Sequence, residues 1–125
     1  MKRSLSLVLA MSLFSAGVLA ADYDQPDTPA LADAQLNEAY SGQKFDWYEG
    51  EDTGTIEFKN NGKAILNWGN RKIDGKWWVE NNELCRKWNI RSAKDSTRCY
   101  VVYETPEGDY LKFIDGEFVL KEVKI

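Results

Sequence analysis

Five residues in one stretch of the chain, Trp77, Arg86, Trp88, Arg98 and Tyr100, are of types that could together hold an anion. A guanidinium grips a carboxylate or phosphate through paired hydrogen bonds. Indole and phenol rings enclose the apolar remainder of such a ligand. Whether the five cooperate depends on strand register. With Asn81-Asn82 as a hairpin loop, Val79 opposes Leu84, Trp77 opposes Arg86, and Trp78 opposes Cys85 on the other face. Cys85 and Cys99 are symmetric about the "IRSAKDS" turn, so their strands bring them opposite each other and Arg86 opposite Arg98. Both arginines then point to the side of Trp77, Trp88 and Tyr100. Two buried guanidiniums without partners would be very costly. They could instead sit at a barrel mouth or pair with Glu57 or Asp74, and a one-residue slip would turn both outward.

The absence of histidine narrows the chemistry further. It removes the usual general base, the commonest metal ligand and every Ser-His or Cys-His nucleophile pair. No Gly-x-Ser-x-Gly motif or phosphate loop occurs, and paired carboxylates are too common here to nominate a glycosidase. The expectation is a non-enzymatic protein without a cofactor. The two cysteines, spaced as described, predict a Cys85–Cys99 disulfide rather than a redox pair, since there is no C-x-x-C. The tryptophans are first a core and a clasp: Trp77 and Trp88 share a face with Val79, Leu84 and Ile90, and Trp78 falls beside the disulfide on the opposite face.

A second candidate surface is the acidic turn "DWYEGEDTG". Asp46, Trp47, Tyr48, Glu49, Glu51 and Asp52 could form an acidic finger for a basic partner cleft, with Trp47 and Tyr48 as aromatic anchors. The turn lacks the alternating oxygen ligands of a calcium loop, so no metal site is expected. Basic residues concentrate instead between Leu84 and Arg98.

These residues must be placed by a largely β framework. Short apolar runs alternate with turn signals every eight to twelve residues or so, which is the all-β rhythm. The strands are expected at 44–48, 54–59, 63–68, 72–79, 83–89, 97–104, 109–114 and 118–125. Asn61-Gly62 and Asp115-Gly116 suit two-residue type I′ loops, and Thr105-Pro106-Glu107-Gly108 suits a type I turn. With Asp115-Gly116 as the loop, Phe113 opposes Phe118 and Leu111 opposes Leu120. Asn61-Gly62 fits less well: Phe58 then opposes Ile65, while Leu66 and Ile73 share the other face. A bulge, or a sheet covered on both faces, would reconcile them. Thr28-Pro29 predicts the start of a helix ending near Tyr40, with Leu36 and Tyr40 on its apolar stripe and Gly42 closing it. The architecture expected is an all-β, mainly antiparallel meander of about eight strands curled into a calycin- or lipocalin-like barrel, with one short N-terminal helix that covers an outer face or plugs one end.

The ends bound where such a protein works. Residues 1–20, "MKRSLSLVLAMSLFSAGVLA", read as an export signal with a basic start, a short apolar core and a small-residue cleavage site. Cleavage after Ala20 leaves about 105 residues, one domain, preceded by a flexible leader over 21–27. It also takes Lys2 and Arg3, making the balance more negative than the formal −4 of the full chain. Nucleic acid and anionic lipid are disfavoured as partners. No later stretch reaches the ~20 apolar residues of a membrane anchor. The expected setting is a bacterial periplasm or the outside of the cell, and the expected state a monomer.

At "GKWWVENNELCRKWNIRSAKDSTRCYVVY" the chain resembles small exported proteobacterial proteins of uncharacterised function, which share the pattern Gly-x-Trp…Leu-Cys-x-x-Trp…Cys-Tyr-x-x-Tyr. The matching positions are Gly75, Trp77, Leu84, Cys85, Trp88, Cys99, Tyr100 and Tyr103, and upstream "YSGQKFDW" is similar to their opening. The resemblance implies the fold and no activity. Two functions follow from the residues. One is a binding or inhibitor module that meets a periplasmic or extracellular protein through Asp46–Asp52. The other is a carrier of a small anionic or amphipathic ligand, using Trp77, Arg86, Trp88, Arg98 and Tyr100.

Overall fold

The computed structural model describes residues 23–90 and 96–125. The export signal expected over 1–20, and part of the turn between the cysteines, lie outside them. A short helix, α1 (Asp33–Tyr40), precedes eight strands: β1 (Gln43–Glu49), β2 (Asp52–Phe58), β3 (Lys63–Trp68), β4 (Arg71–Glu80), β5 (Glu83–Trp88), β6 (Arg98–Glu104), β7 (Tyr110–Ile114) and β8 (Glu117–Lys124). Each strand pairs antiparallel with the next, and β1 pairs with β8 to close the barrel. Closure leaves no edge strand to template aggregation. Among the described residues no helix is long and apolar enough to cross a membrane.

Period-two alternation decides what faces in. Phe45 and Trp47, Ile56 and Phe58, Leu84 and Trp88, Tyr100 and Val102, and Leu120 are buried in one interior cluster, with Lys44, Glu57 and Lys87 on the other face of their strands. The helix plugs one end. Its Leu36 and Tyr40 are fully buried, and the Tyr40 ring meets Phe45, Phe58 and Tyr110 at centroid distances of 4.9, 4.9 and 5.4 Å. Trp78 lies half-buried on the other face of β4 from Trp77 and donates to Glu80 Oε1.

The helix starts later than Thr28-Pro29 predicts. Residues up to Ala32 stay extended because the Leu31 N–H bonds to the Val102 carbonyl of β6. The first turn is capped from elsewhere: Gln35 Oε1 accepts from the Ala32 N–H. Asp33 and Asn82 exchange hydrogen bonds between side-chain oxygen and backbone N–H, which ties the helix to the β4–β5 loop and satisfies donors that a helix start otherwise leaves open. Ahead of it, within the stretch read as a leader, the Tyr23 ring stacks 5.0 Å from Phe118, and Gln25 Nε2 donates to Tyr103 Oη at 2.6 Å. With Ala30, Tyr23 covers a second apolar cluster on the outside of the barrel, made of Tyr103, Leu111 and Phe113.

Two registers differ from expectation. The β2–β3 loop has three residues, with Lys59 pairing Lys63 and only Gly62 at positive φ (+88°). A two-residue type I′ loop needs positive φ at both positions, and Asn61 does not adopt it. The extra residue puts Ile56 opposite Leu66 and Phe58 opposite Ala64, which removes the conflict between faces. In β7–β8, Phe113 does oppose Phe118, but a bulge at Lys112/Phe113 pairs Leu111 with Lys121 and Lys112 with Leu120. The expected Leu111–Leu120 pair is therefore wrong. Leu111, Phe113 and Phe118 face outward to the covering segment, and Lys112, Leu120 and Glu122 face inward.

Candidate functional site

The open half of the barrel holds a cavity of about 400 Å³, within the roughly 300–1,000 Å³ range of small-ligand sites. Its apolar wall includes Trp47, Ile56, Ile73, Trp88, Tyr100 and Leu120. Arg86 enters from β5, Lys112 and Glu122 form the floor, and Glu49, Asp52 and Arg71 stand at the rim with Trp68. Trp68 is a large exposed apolar residue, 40% accessible, and its ring meets Trp47 edge-on at 6.4 Å.

The disulfide sets the register on which Arg86 depends. Cys85 and Cys99 are bonded and directly opposed, with Cα atoms 4.0 Å apart. Trp77 therefore pairs with Arg86, and Arg86 with Arg98, as the hairpin reading requires. Arg86 is half-buried, bonds to the Ser96 carbonyl and donates to Tyr100 Oη at 3.1 Å. Its guanidinium carbon lies 5.6 Å from the Trp88 ring centre and 5.8 Å from that of Tyr100. Among the described residues, no carboxylate comes within ion-pair distance of Arg86; neither Glu57 nor Asp74 pairs with it.

The sequence candidates separate into those that meet and those that do not. Arg86, Trp88 and Tyr100 line the cavity. Trp77 is buried but packs at the plugged end, 5.5 Å from Phe58, with its indole N–H on the Lys59 carbonyl. Arg98 is exposed and outside the lining. From the acidic turn, Trp47 points into the barrel and is 7% exposed, so it cannot anchor a partner. Asp46 and Tyr48 are half-buried on the outer side of β1. Glu49 and Asp52 border the mouth, and Glu51 is exposed in the turn between them. Glu49 and Asp52 of the acidic turn thus line the same cavity as Arg86. Partial burial raises the Glu49 carboxyl above its ordinary range; Arg86 opposes the rise and Asp52 adds to it.

Sequence reasoning missed the floor. Lys112 Nζ lies 2.7 Å from Glu122 Oε2, and Tyr40 Oη donates to Glu122 Oε1, also at 2.7 Å. Burial lowers the Lys112 pKa against the pull of Glu122 and raises that of Tyr40 well above the usual phenol value, with Glu122 adding to the rise. The signal available was "DYLKFI", where Tyr110, Leu111, Phe113 and Ile114 are apolar on both faces, so that neither face of β7 meets water. One trio of metal-ligand types gathers among the described residues, Glu83 with Cys85 and Cys99, and the disulfide takes both sulfurs out of it. Comparison of the chain with protein-family models, with curated proteins and with solved structures finds no match.

Proposed function

We propose that the chain is a non-enzymatic periplasmic carrier of a small amphipathic anion, held in the open half of the barrel with its carboxylate on Arg86. The observation that carries this reading is the Arg86 guanidinium inside an aromatic cavity, bonded to two neutral oxygens and, among the described residues, to no carboxylate. Neutral oxygens compensate a buried cation poorly, and a ligand carboxylate offers the charge-assisted, two-pronged bond that a guanidinium makes best. The surrounding indoles supply the apolar contact. The partner-binding alternative is less well supported, because Trp47, one of its two aromatic anchors, is enclosed by the barrel.

Cinnamate, a flat aromatic carboxylate, is a suitable probe. Calorimetric titration of the wild-type protein should give one site. Arg86→Leu should weaken it by about tenfold or more, the scale of a lost hydrogen bond to a charged group, while the near-UV circular dichroism of the tryptophans stays unchanged. Equal affinity in the two proteins would remove Arg86 from the site and the carrier reading with it.

A further inference from the structure

The interior of the cavity offers more hydrogen-bond donors than acceptors, and the imbalance is sharpest at its floor. Lys112 is 2% exposed and carries three N–H donors, yet among the described residues its one oxygen partner is Glu122. The rings of Tyr40, Phe58 and Tyr100 stand around it, with centroids 5.4, 5.2 and 4.9 Å from Nζ. Ring faces attract a cation but accept hydrogen bonds weakly. The acceptors nearby are already engaged: Glu122 Oε2 by Lys112, Glu122 Oε1 by Tyr40, and Tyr100 Oη by Arg86. Among the described residues, the indole N–H of Trp47, on the cavity wall, is also buried without an acceptor. Buried donors without acceptors are uncommon, and each calls for a partner such as a water, an ion or a ligand atom.

The ring of Tyr100 lies between the two cations in the sense that it touches both, Arg86 Cζ at 5.8 Å and Lys112 Nζ at 4.9 Å from its centre. A single small molecule can therefore span from one to the other. Resting on the carrier reading, we propose that Lys112 is a second recognition point. The ligand class is then a two-headed aromatic acid, with its carboxylate on Arg86 at the wall and a phenol, carbonyl or second carboxylate oxygen accepting from Lys112 at the floor. A ligand with an apolar tail would bury that tail against an ammonium with open donors, a cost that selects against it.

Cinnamate and para-coumarate differ by one oxygen at the end remote from the carboxylate, and they make the test. The wild-type protein should bind para-coumarate about tenfold more tightly than cinnamate, the scale of a hydrogen bond to a charged donor. In the Lys112→Met/Glu122→Gln variant, which removes both charges together, that ratio should fall to about one, with the near-UV circular dichroism of the tryptophans as the check on the fold. Equal binding of the two acids by the wild-type protein would overturn Lys112 as a recognition point and leave the carrier reading standing. Binding of neither acid would overturn both. The wild-type comparison needs no variant to fold.

Discussion

The Lys112 ammonium and the Glu122 carboxylate meet at 2.7 Å inside the barrel, at 2% and 1% exposure. They sit on adjacent strands, β7 and β8, yet only the bulge at Lys112/Phe113 turns both inward. The Tyr40 hydroxyl then takes the second carboxylate oxygen. The helix is thus more than a stopper. It supplies the hydrogen bond that completes a buried charge cluster, and that cluster separates the packed end of the barrel from the open cavity.

Removing one member of the pair should cost far more than removing both. Lys112→Met leaves Glu122 buried and unpaired, a loss of about 3–5 kcal/mol. Lys112→Met/Glu122→Gln keeps an acceptor for Tyr40 and should regain most of that loss. Urea denaturation of the two single variants and the double variant measures the coupling. Simple additivity would mean that the ion pair is not formed in solution.

Alkaline stability should follow the same cluster. Burial, then Glu122, raise the Tyr40 pKa well above its ordinary value. The folded state therefore keeps a proton that the unfolded chain releases above about pH 10. The stabilisation is complete below that pH and is lost as pH rises toward the folded value. Lys112 has the opposite sign: its lowered pKa means that the fold binds fewer protons than the unfolded chain just below about pH 10.4, so stability rises with pH there. Urea midpoints measured across the alkaline range should fall steeply above about pH 10, and Tyr40→Phe should reduce that fall. Tyr100 and Tyr110, whose pKa values burial also raises, should leave part of it in place.

The Cys85–Cys99 bond closes a loop with a sequence separation of 14, a span for which cross-linking contributes about 3 kcal/mol. Cys85→Ser/Cys99→Ser should lose about that much. It should also weaken cinnamate binding, because among the described residues the β5–β6 ladder has three residue pairs, the disulfide pair and its two neighbours, and Arg86 is one of those neighbours. Reduced protein that binds cinnamate with undiminished affinity would show that the strand register does not need the bridge.

Gly75 and Gly54 mark where the barrel wall bends closest on itself. A Cβ on Gly75 would lie 2.3 Å from the Lys87 carbonyl oxygen and 2.5 Å from the Trp88 ring, and one on Gly54 would lie 2.0 Å from the Asn67 carbonyl oxygen. The two carbonyl contacts are with backbone, which cannot move aside cheaply. Gly75→Ala should destabilise by about 1–3 kcal/mol, the usual cost of overpacking, and should shift Trp88 in the cavity wall. Thermal unfolding and tryptophan emission would report both, whereas Gly50→Ala, with open space around it but a φ of +61°, should cost stability through backbone strain and leave the emission unchanged.

Most of the framework could be read from the chain because the information was local. Every strand was legible within a few residues from period-two patterning and turn chemistry, and the Cys85–Cys99 spacing set the β4–β5–β6 register that brings Arg86, Trp88 and Tyr100 together. What escaped depends on departures from regular pairing. One extra loop residue at Asn60–Gly62 decides which face of β3 is inside, and one bulge decides that Lys112, not Leu111, faces the cavity. Trp47 looked like an exposed anchor because acidic residues surround it in sequence. In the barrel, alternation along β1 turns it inward with Phe45, on the face opposite Asp46 and Tyr48.

Glu49 should make ligand uptake depend on pH. Its carboxyl borders the cavity mouth, with Arg86 and Arg98 pulling its pKa down, and burial and Asp52 pushing it up, for a net rise. When ionised it repels an incoming carboxylate and competes for the field of Arg86. When protonated it does neither. Cinnamate affinity should therefore increase as pH falls through the Glu49 pKa, which burial raises from its ordinary value, until the cinnamate carboxyl is itself protonated. Glu49→Gln should bind more tightly at neutral pH and lose that increase, while Glu51→Gln, in the exposed turn beside it, should retain the wild-type profile. A Glu49→Gln protein that kept the full pH dependence would show that Glu49 does not set it.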